Sequence, residues 1–199
     1  MAFPLLDTAF AARNPESSVN KSPVLLIGGG ARSGKSSFAL RQLLAHHNPA
    51  FIATARALDD EMRLRITRHR AERPTNLRTI EAPRDLCGAL ELAGGHDAVV
   101  VDCLTLWLSN VLVETDDQVE TEREIERLCA AVQSCPFSLY LVSNEVGLGL
   151  VPETPLGRVF RDLAGGLNQR LSAIADEVVF AVMGMSLRLK PMPLEILPR

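Results

Sequence analysis

The stretch Gly28-Gly29-Gly30-Ala31-Arg32-Ser33-Gly34-Lys35-Ser36 carries the residue types and the spacing that bind a chain of phosphates. Gly29 stands where the pattern G-x-x-x-x-G-K-[ST] needs its first glycine, and the apolar run Val24 to Ile27 precedes it as a buried strand would. Glycines let successive backbone N–H groups converge on phosphate oxygens with no Cβ in the way. Lys35 then reaches the outer phosphates, the Ser36 hydroxyl is placed to ligate Mg²⁺, and the helix that follows turns its positive end toward the anion. Asp102 closes a second apolar run, Ala98 to Val101, where a protein with such a loop places the carboxylate that holds Mg²⁺ directly or through water. Capping the next helix is the other role open to a strand-end acid.

A further cluster lies on the charged segment Asp59 to Arg73. Arg65, His69 and Arg73 are spaced by four residues and share one face of a helix. Two guanidinium groups beside an imidazole bind phosphate and disfavour the imidazolium form, which leaves a neutral ring with a nucleophilic nitrogen. Such a ring can attack an α-phosphate and hold the nucleotidyl group while pyrophosphate leaves. On this chemistry alone, a lone histidine on a charged helix reads first as a surface residue. Glu81 is an ordinary exposed carboxylate ahead of Pro83, of interest only for its place at a strand end. Arg32 is placed to reach a bound nucleotide or the phosphate of a second substrate. His46 and His47 read as caps at a helix end, His96 as part of a solvated turn, and Trp107 as core or interface.

These residues need strands that end at a common rim. Apolar runs predict strands over Val24 to Ile27, Ala50 to Thr54, Leu77 to Ile80, Ala98 to Val101, Ser138 to Val142, Val178 to Val182 and Ser186 to Lys190. Helical spacing predicts a helix from Lys35 to His47 with Phe38, Leu40, Leu43 and Leu44 inward, and one from Asp59 to Arg73, stopped by Pro74, with Met62, Ile66 and His69 on one side. Further helices are expected over Asp85 to Leu92, from Cys103 to Asn110, over Val119 to Gln133 with Ile125, Leu128 and Val132 buried, and over Leu156 to Ala175. Glu114 to Asp117 reads as an acidic connection. Buried strands alternating with helices predict an α/β fold of the P-loop NTPase (RecA-like) kind, a mostly parallel sheet with helices on both faces. Ligands of such sheets bind at strand carboxyl ends, which gathers the glycine-rich loop, the Thr54 region, Glu81, Asp102 and Asn144-Glu145 at one rim.

A chain of 199 residues suits one α/β unit. Residues 1–22 show neither helical nor alternating periodicity and are expected to be a flexible leader; 23–199 are expected to form a single nucleotide-binding catalytic domain. The net charge of −3, with no long basic block, argues against a nucleic-acid groove or a membrane surface. Cys87, Cys103, Cys129 and Cys135 lack C-x-x-C spacing and sit in apolar segments, as reduced, buried thiols do. No run approaches the ~20 apolar residues of a bilayer span and no basic segment leads the chain, so the expected location is cytoplasmic.

Taken together, several stretches resemble one family, the bifunctional adenosylcobinamide kinase / adenosylcobinamide-phosphate guanylyltransferases of cobalamin synthesis. They are Gly28 to Ser36, Ile52 to Ala55, Asp59 to Met62, Arg65-Ile66, His69-Arg70, Arg73-Pro74, Val101 to Trp107, Val142 to Glu153, Phe160 to Asp162, Gly165 and Asn168-Gln169. The resemblance covers nearly everything from Val24 to Lys190. It implies that adenosylcobinamide takes a phosphoryl group from ATP or GTP. GTP then places GMP on a histidine, and adenosylcobinamide phosphate removes it as adenosylcobinamide-GDP. His69 matches the guanylylated histidine. Nucleotide contacts fall on Gly29, Gly30, Ala31, Arg32, Ser33, Gly34, Lys35 and Ser36; on Ala53, Thr54 and Ala55; on Arg70, Ala71, Glu72 and Arg73; and on Glu81 and Asp102. Lys35 is catalytic beside His69, and Ser36 and Asp102 are the candidate Mg²⁺ ligands, with the division of labour between Glu81 and Asp102 open. The Asn144 to Glu153 loop is assigned to the corrinoid or a neighbouring subunit, and a homo-oligomer, a trimer, is implied. The segment before Val24 has no counterpart in the family pattern. A plain small-molecule kinase and a GTP-binding regulatory module are the competing readings of the loop by itself.

Overall fold

The computed structural model describes residues 22–191 and 195–197. Each apolar run becomes a strand: β1 (Val24–Gly29), β2 (Pro49–Ala53), β3 (Arg78–Glu81), β4 (Ala98–Asp102), β5 (Ser138–Val142), β6 (Glu177–Val182) and β7 (Met185–Lys190), with β8 (Glu195–Leu197) beyond them. The helices between are α1 (Lys35–Leu43), α2 (Asp60–Ala71), α3 (Leu86–Leu92), α4 (Leu104–Thr115), α5 (Gln118–Ser134) and α6 (Pro155–Ile174). One eight-stranded sheet runs in the order β3-β2-β4-β5-β1-β6-β7-β8. It is parallel from β3 to β6, and β7 and β8 add on antiparallel. The expected leader, apart from Ser22, lies outside the described residues.

Alternation along the strands divides the core in two. Leu26, Ile52, Val99, Val101, Leu139 and Leu141 pack on one face against α3 to α6, through Trp107, Leu108, Ile125, Leu128, Leu167 and Leu171. Leu25, Ile27, Phe51, Val100, Tyr140 and Val142 pack on the other against Phe38, Ala39 and Leu43 of α1. Helices therefore cover both faces, and Cys87, Cys103 and Cys129 are free thiols.

Several boundaries differ from the expectation. Helix α1 stops at Leu43, not His47, because the chain tightens into i→i+3 bonds, Ala45 N–H to the Gln42 carbonyl and His46 N–H to that of Leu43. Leu44 is consequently exposed rather than inward. His46 is no cap: its Nε2 meets the Tyr140 hydroxyl at 2.8 Å, while the His96 ring bonds the Asn48 carbonyl at 3.1 Å. Helix α4 continues to Thr115 and ends where Asp116 turns left-handed, so Glu114 is helical and not part of a connection. Helix α2 buries no residue and ends at Ala71, which puts Arg73 beyond the helix.

Candidate active site

The glycine-rich loop leaves β1 and enters α1. Gly29 holds φ at +148°, and a Cβ there would meet the Ala181 carbonyl oxygen of β6 at 2.4 Å and Ser33 Oγ at 2.7 Å. Gly34, at φ +96°, caps α1 in a conformation that side chains disfavour. Gly29→Ala is therefore expected to lose about 2–4 kcal/mol of stability, from a backbone clash added to an unfavourable φ, read from denaturant unfolding. Ser33 Oγ is buried with no hydrogen-bond partner among the described residues, an orphaned hydroxyl in a loop built for an anion. Lys35 is buried and donates from Nζ to the Gly30 carbonyl at 2.9 Å. Burial pushes its ammonium below the usual range; Cys103 and Asp102 oppose that shift and Arg65 reinforces it.

Asp102 ends β4, and β5 lies between that strand and β1, so the carboxylate stands two strands from the loop. The first turn of α1 spans the gap and brings Ser36 into the lining of one cavity with Asp102. Burial pushes the Asp102 carboxyl up, and the nearby Ser36, Lys35 and Arg73 side chains pull it back. The Ser36 hydroxyl and the Asp102 carboxylate are the candidate metal donors. Among the described residues no group of three His, Cys, Asp or Glu side chains gathers to hold a metal by itself.

Helix α2 stands over the rim on a few tethers. Asp59 caps it by accepting from Met62 N–H at 2.7 Å, Arg70 pairs with Glu81 at the end of β3, and the Arg73 guanidinium lies 3.7 Å from the centre of the Phe51 ring. Arg73 has left the helix, yet with Arg65 and His69 it lines one cavity of about 400 Å³, together with Lys35, Ser36, Ala53, Ala55, Arg70, Glu81, Asp102 and Asn144. A second cavity of about 650 Å³ lies between the loop and α2, lined by Ala31 to Ser37 and by Glu61, Leu64, Arg65, Arg68, His69 and Glu72. Lys35, Ser36, Arg65 and His69 belong to both, so His69 sits in the wall that the two cavities share.

The rim brings together the predicted residues from the loop, α2, β2, β3 and β4, except that Gly29, Gly30, Thr54 and Ala71 line neither cavity. Ala71 is exposed and lines neither cavity. Thr54 is wholly buried: its hydroxyl donates to the Cys103 carbonyl at 2.7 Å and accepts from Cys103 N–H at 2.8 Å, so it locks β2 to β4 and presents no side chain to a ligand. Gly29 is also buried and enters neither lining; it shapes the loop.

The structure adds residues that sequence reasoning missed. Asn110 of α4 donates from Nδ2 to the carbonyls of Thr54 at 2.9 Å and Pro83 at 2.8 Å, and Trp107 Nε1 donates to Arg84 O at 2.8 Å, which pins the loops after β2 and β3. Thr105 accepts from Asn144 Nδ2 at 2.7 Å and fixes that side chain in the smaller cavity. No spacing announces such bonds, since each joins segments far apart in the chain. Asn110→Leu leaves two carbonyls without a donor and is expected to cost about 2–4 kcal/mol. A fall in the thermal midpoint with the GTP KM raised would show that both loops have loosened.

Comparison with known proteins agrees with this geometry. Residues 25–189 match the family described as cobinamide kinase / cobinamide phosphate guanyltransferase. The chain is 43% identical over 181 residues to the bifunctional adenosylcobalamin biosynthesis protein CobU of Salmonella typhimurium, covering 84% of this chain and 99% of that one. It is 46% identical over 173 residues to the corresponding protein CobP of Pseudomonas aeruginosa, covering 85% and 98%. Among solved structures, the flagellar accessory protein FlaH of Methanocaldococcus jannaschii matches with a TM-score of 0.50 at 13% identity, over 88% of this chain and 77% of that one. A protein of Pyrococcus horikoshii matches with a TM-score of 0.52 at 10% identity, over 86% and 87%. These two likenesses concern the fold alone, a RecA-like α/β arrangement. With a phosphate loop, an acidic strand end and a histidine between two cavities in place, the chain belongs to the cobinamide kinase / cobinamide phosphate guanyltransferase family, bifunctional kinases and guanylyltransferases of cobalamin biosynthesis.

Proposed function

We propose that the enzyme phosphorylates adenosylcobinamide with ATP or GTP, and then carries GMP from GTP to adenosylcobinamide phosphate through a covalent guanylyl group on His69. The observation that carries this reading is the place of His69, in one cavity wall with Lys35 and Ser36 of the phosphate loop. A triphosphate seated on Gly29 to Ser36 brings its α-phosphorus to the imidazole. Lys35 and the backbone N–H groups take the charge that builds on pyrophosphate as it leaves. Ala53, Ala55, Arg70, Arg73 and Glu81 line the space for the nucleoside, with Glu81 held by Arg70. In the kinase step the same loop orients the γ-phosphate toward the acceptor hydroxyl, a transfer that rests on positioning and charge more than on a dedicated base.

Ser36 and Asp102 fit Mg²⁺, an ion that takes one or two protein oxygens and completes its octahedron with water and substrate phosphates. When bound, it neutralises phosphate charge and stabilises the leaving group. We also infer one catalytic unit from residue 23 onward, working in the cytoplasm as a homo-oligomer, a trimer by resemblance. Support comes from the exposed Leu148, Leu150 and Val151 beyond β5, and from the absence of any described helix long and apolar enough to cross a membrane.

The test is incubation with GTP labelled at the α-phosphate, followed by denaturation. Acid-labile label on the protein, discharged by adenosylcobinamide phosphate, is the expected result. Labelled nucleotide released without any covalent fraction would leave a plain kinase.

A further inference from the structure

We propose that Glu114, in the last turn of α4, is a positioning residue for the guanylyl step: it holds the two rim loops to which α2, the helix of His69, is tied. This rests on the guanylyl-histidine reading above. Helix α2 buries no residue, so its place over the rim is set by its tethers and not by packing. At its start it follows the segment 54–58 through the Asp59 cap, and near its end Arg70 pairs with Glu81, the last residue of β3. Each tether is as firm as the loop behind it, residues 54–58 after β2 and 82–85 after β3.

One face of α4 holds both loops. Trp107, Asn110 and Glu114 are spaced by three and four residues and share that face. The first two grip backbone, at the carbonyls of Arg84, Thr54 and Pro83. Glu114 grips side chains and takes one arginine from each loop: its Oε1 pairs with Arg56, and its Oε2 lies 3.3 Å from Arg84 Nε. Arg84 also reaches Glu124 of α5 at 3.5 Å, and Glu124 holds Arg127 at 3.1 Å. The charges form a connected network, the arrangement in which partly exposed ion pairs contribute more than isolated ones. Arg56 carries the network to the site, because its neighbours Ala55 and Ala57 line the smaller cavity while its own guanidinium is taken by Glu114. Removing the Glu114 charge leaves Arg56 with no ion-pair partner among the described residues, and it loosens both a cavity wall and the approach to α2. Attack at the α-phosphorus needs the His69 nitrogen in line with the departing pyrophosphate, whereas the kinase step does not use His69. Glu114 makes no ion pair or hydrogen bond with the phosphate loop among the described residues.

The experiment measures two rates in the full chain: covalent labelling at saturating α-labelled GTP, and phosphorylation of adenosylcobinamide at saturating ATP. Glu114→Gln, which keeps the size and removes the charge, is expected to slow labelling about tenfold, the scale of a misplaced reacting group. Kinase turnover should stay within about twofold, since it rests on the phosphate loop. Labelling at the wild-type rate, or an equal loss of both activities, overturns the proposal. Arg56→Gln should reproduce the selective loss, and the double variant should fall no further than Glu114→Gln alone, because the two residues act through one contact. A double variant that shows the product of the single effects means separate roles and also overturns it. Should Glu114→Gln fail to fold, Arg56→Gln, a change on a partly exposed loop side chain, decides by the same two rates. If wild-type enzyme takes no label at all, the guanylyl-histidine reading fails and the role of Glu114 with it. Normal labelling of wild type with unchanged variants removes the role of Glu114 alone.

Discussion

His69→Ala is expected to abolish covalent labelling from GTP and to lower guanylyl transfer by at least about 10³-fold, the scale on which loss of a covalent nucleophile acts. Phosphorylation of adenosylcobinamide should persist, because Lys35, Ser36 and the backbone of the loop remain in place. The structural risk is low. His69 is only partly buried and lies on a helix with no buried residue, so truncation removes little packing. Separate assays of pyrophosphate release and of nucleoside diphosphate formation distinguish the two activities. An equal loss of both would mean that His69 serves the loop's geometry and not a covalent step.

On the proposed mechanism, Lys35→Met should lower both activities by about 10²–10³-fold, since each transfer would place developing negative charge on phosphates held by the one ammonium. The effect on stability is expected to have the opposite sign. Lys35 is buried and its pKa is lowered, chiefly by burial, so the folded state binds this proton less tightly than the unfolded chain. The charge therefore costs stability below the depressed pKa, and that cost fades as pH rises from the folded to the unfolded value. Methionine, of similar length and uncharged, removes the cost. A raised denaturation midpoint with lost turnover is the outcome sought, the trade of stability for function expected of a buried catalytic charge. A lowered midpoint would mean that the Nζ bond to the Gly30 carbonyl outweighs the desolvation.

Much of the architecture was legible because it rests on local regularities. The strands that carry the site are short apolar runs bounded by turns, and the phosphate loop declares itself by glycines at fixed offsets, two of which hold conformations that side chains resist. Asp102 and Glu81 were found as strand-end acids, and the rim was inferred from the rule that parallel sheets bind ligands at their carboxyl ends. His69 was different. Its residue type and spacing left it a surface histidine, and its role entered through resemblance over the length of the chain.

Boundaries set by tertiary packing were less legible. The i, i+4 pattern carried the helix on to Arg73, but the chain breaks at Ala71 and Arg73 turns to the Phe51 face, where a cation finds an aromatic quadrupole. Thr54 was expected as a ligand contact from its place at a strand end and from resemblance to the family. Its hydroxyl is committed to the Cys103 backbone because β2 and β4 are adjacent, a fact of strand order.

Residue order alone thus specified the elements, the loop and the charges available, since propensity, periodicity and glycine conformation act over a few neighbouring residues. Strand order, the insertion of β5 between β1 and β4, the Asn110 clamp and the place of His69 between two cavities came only with the folded chain. Each depends on contacts between segments tens of residues apart, which are selected by how the apolar faces of all the elements pack at once.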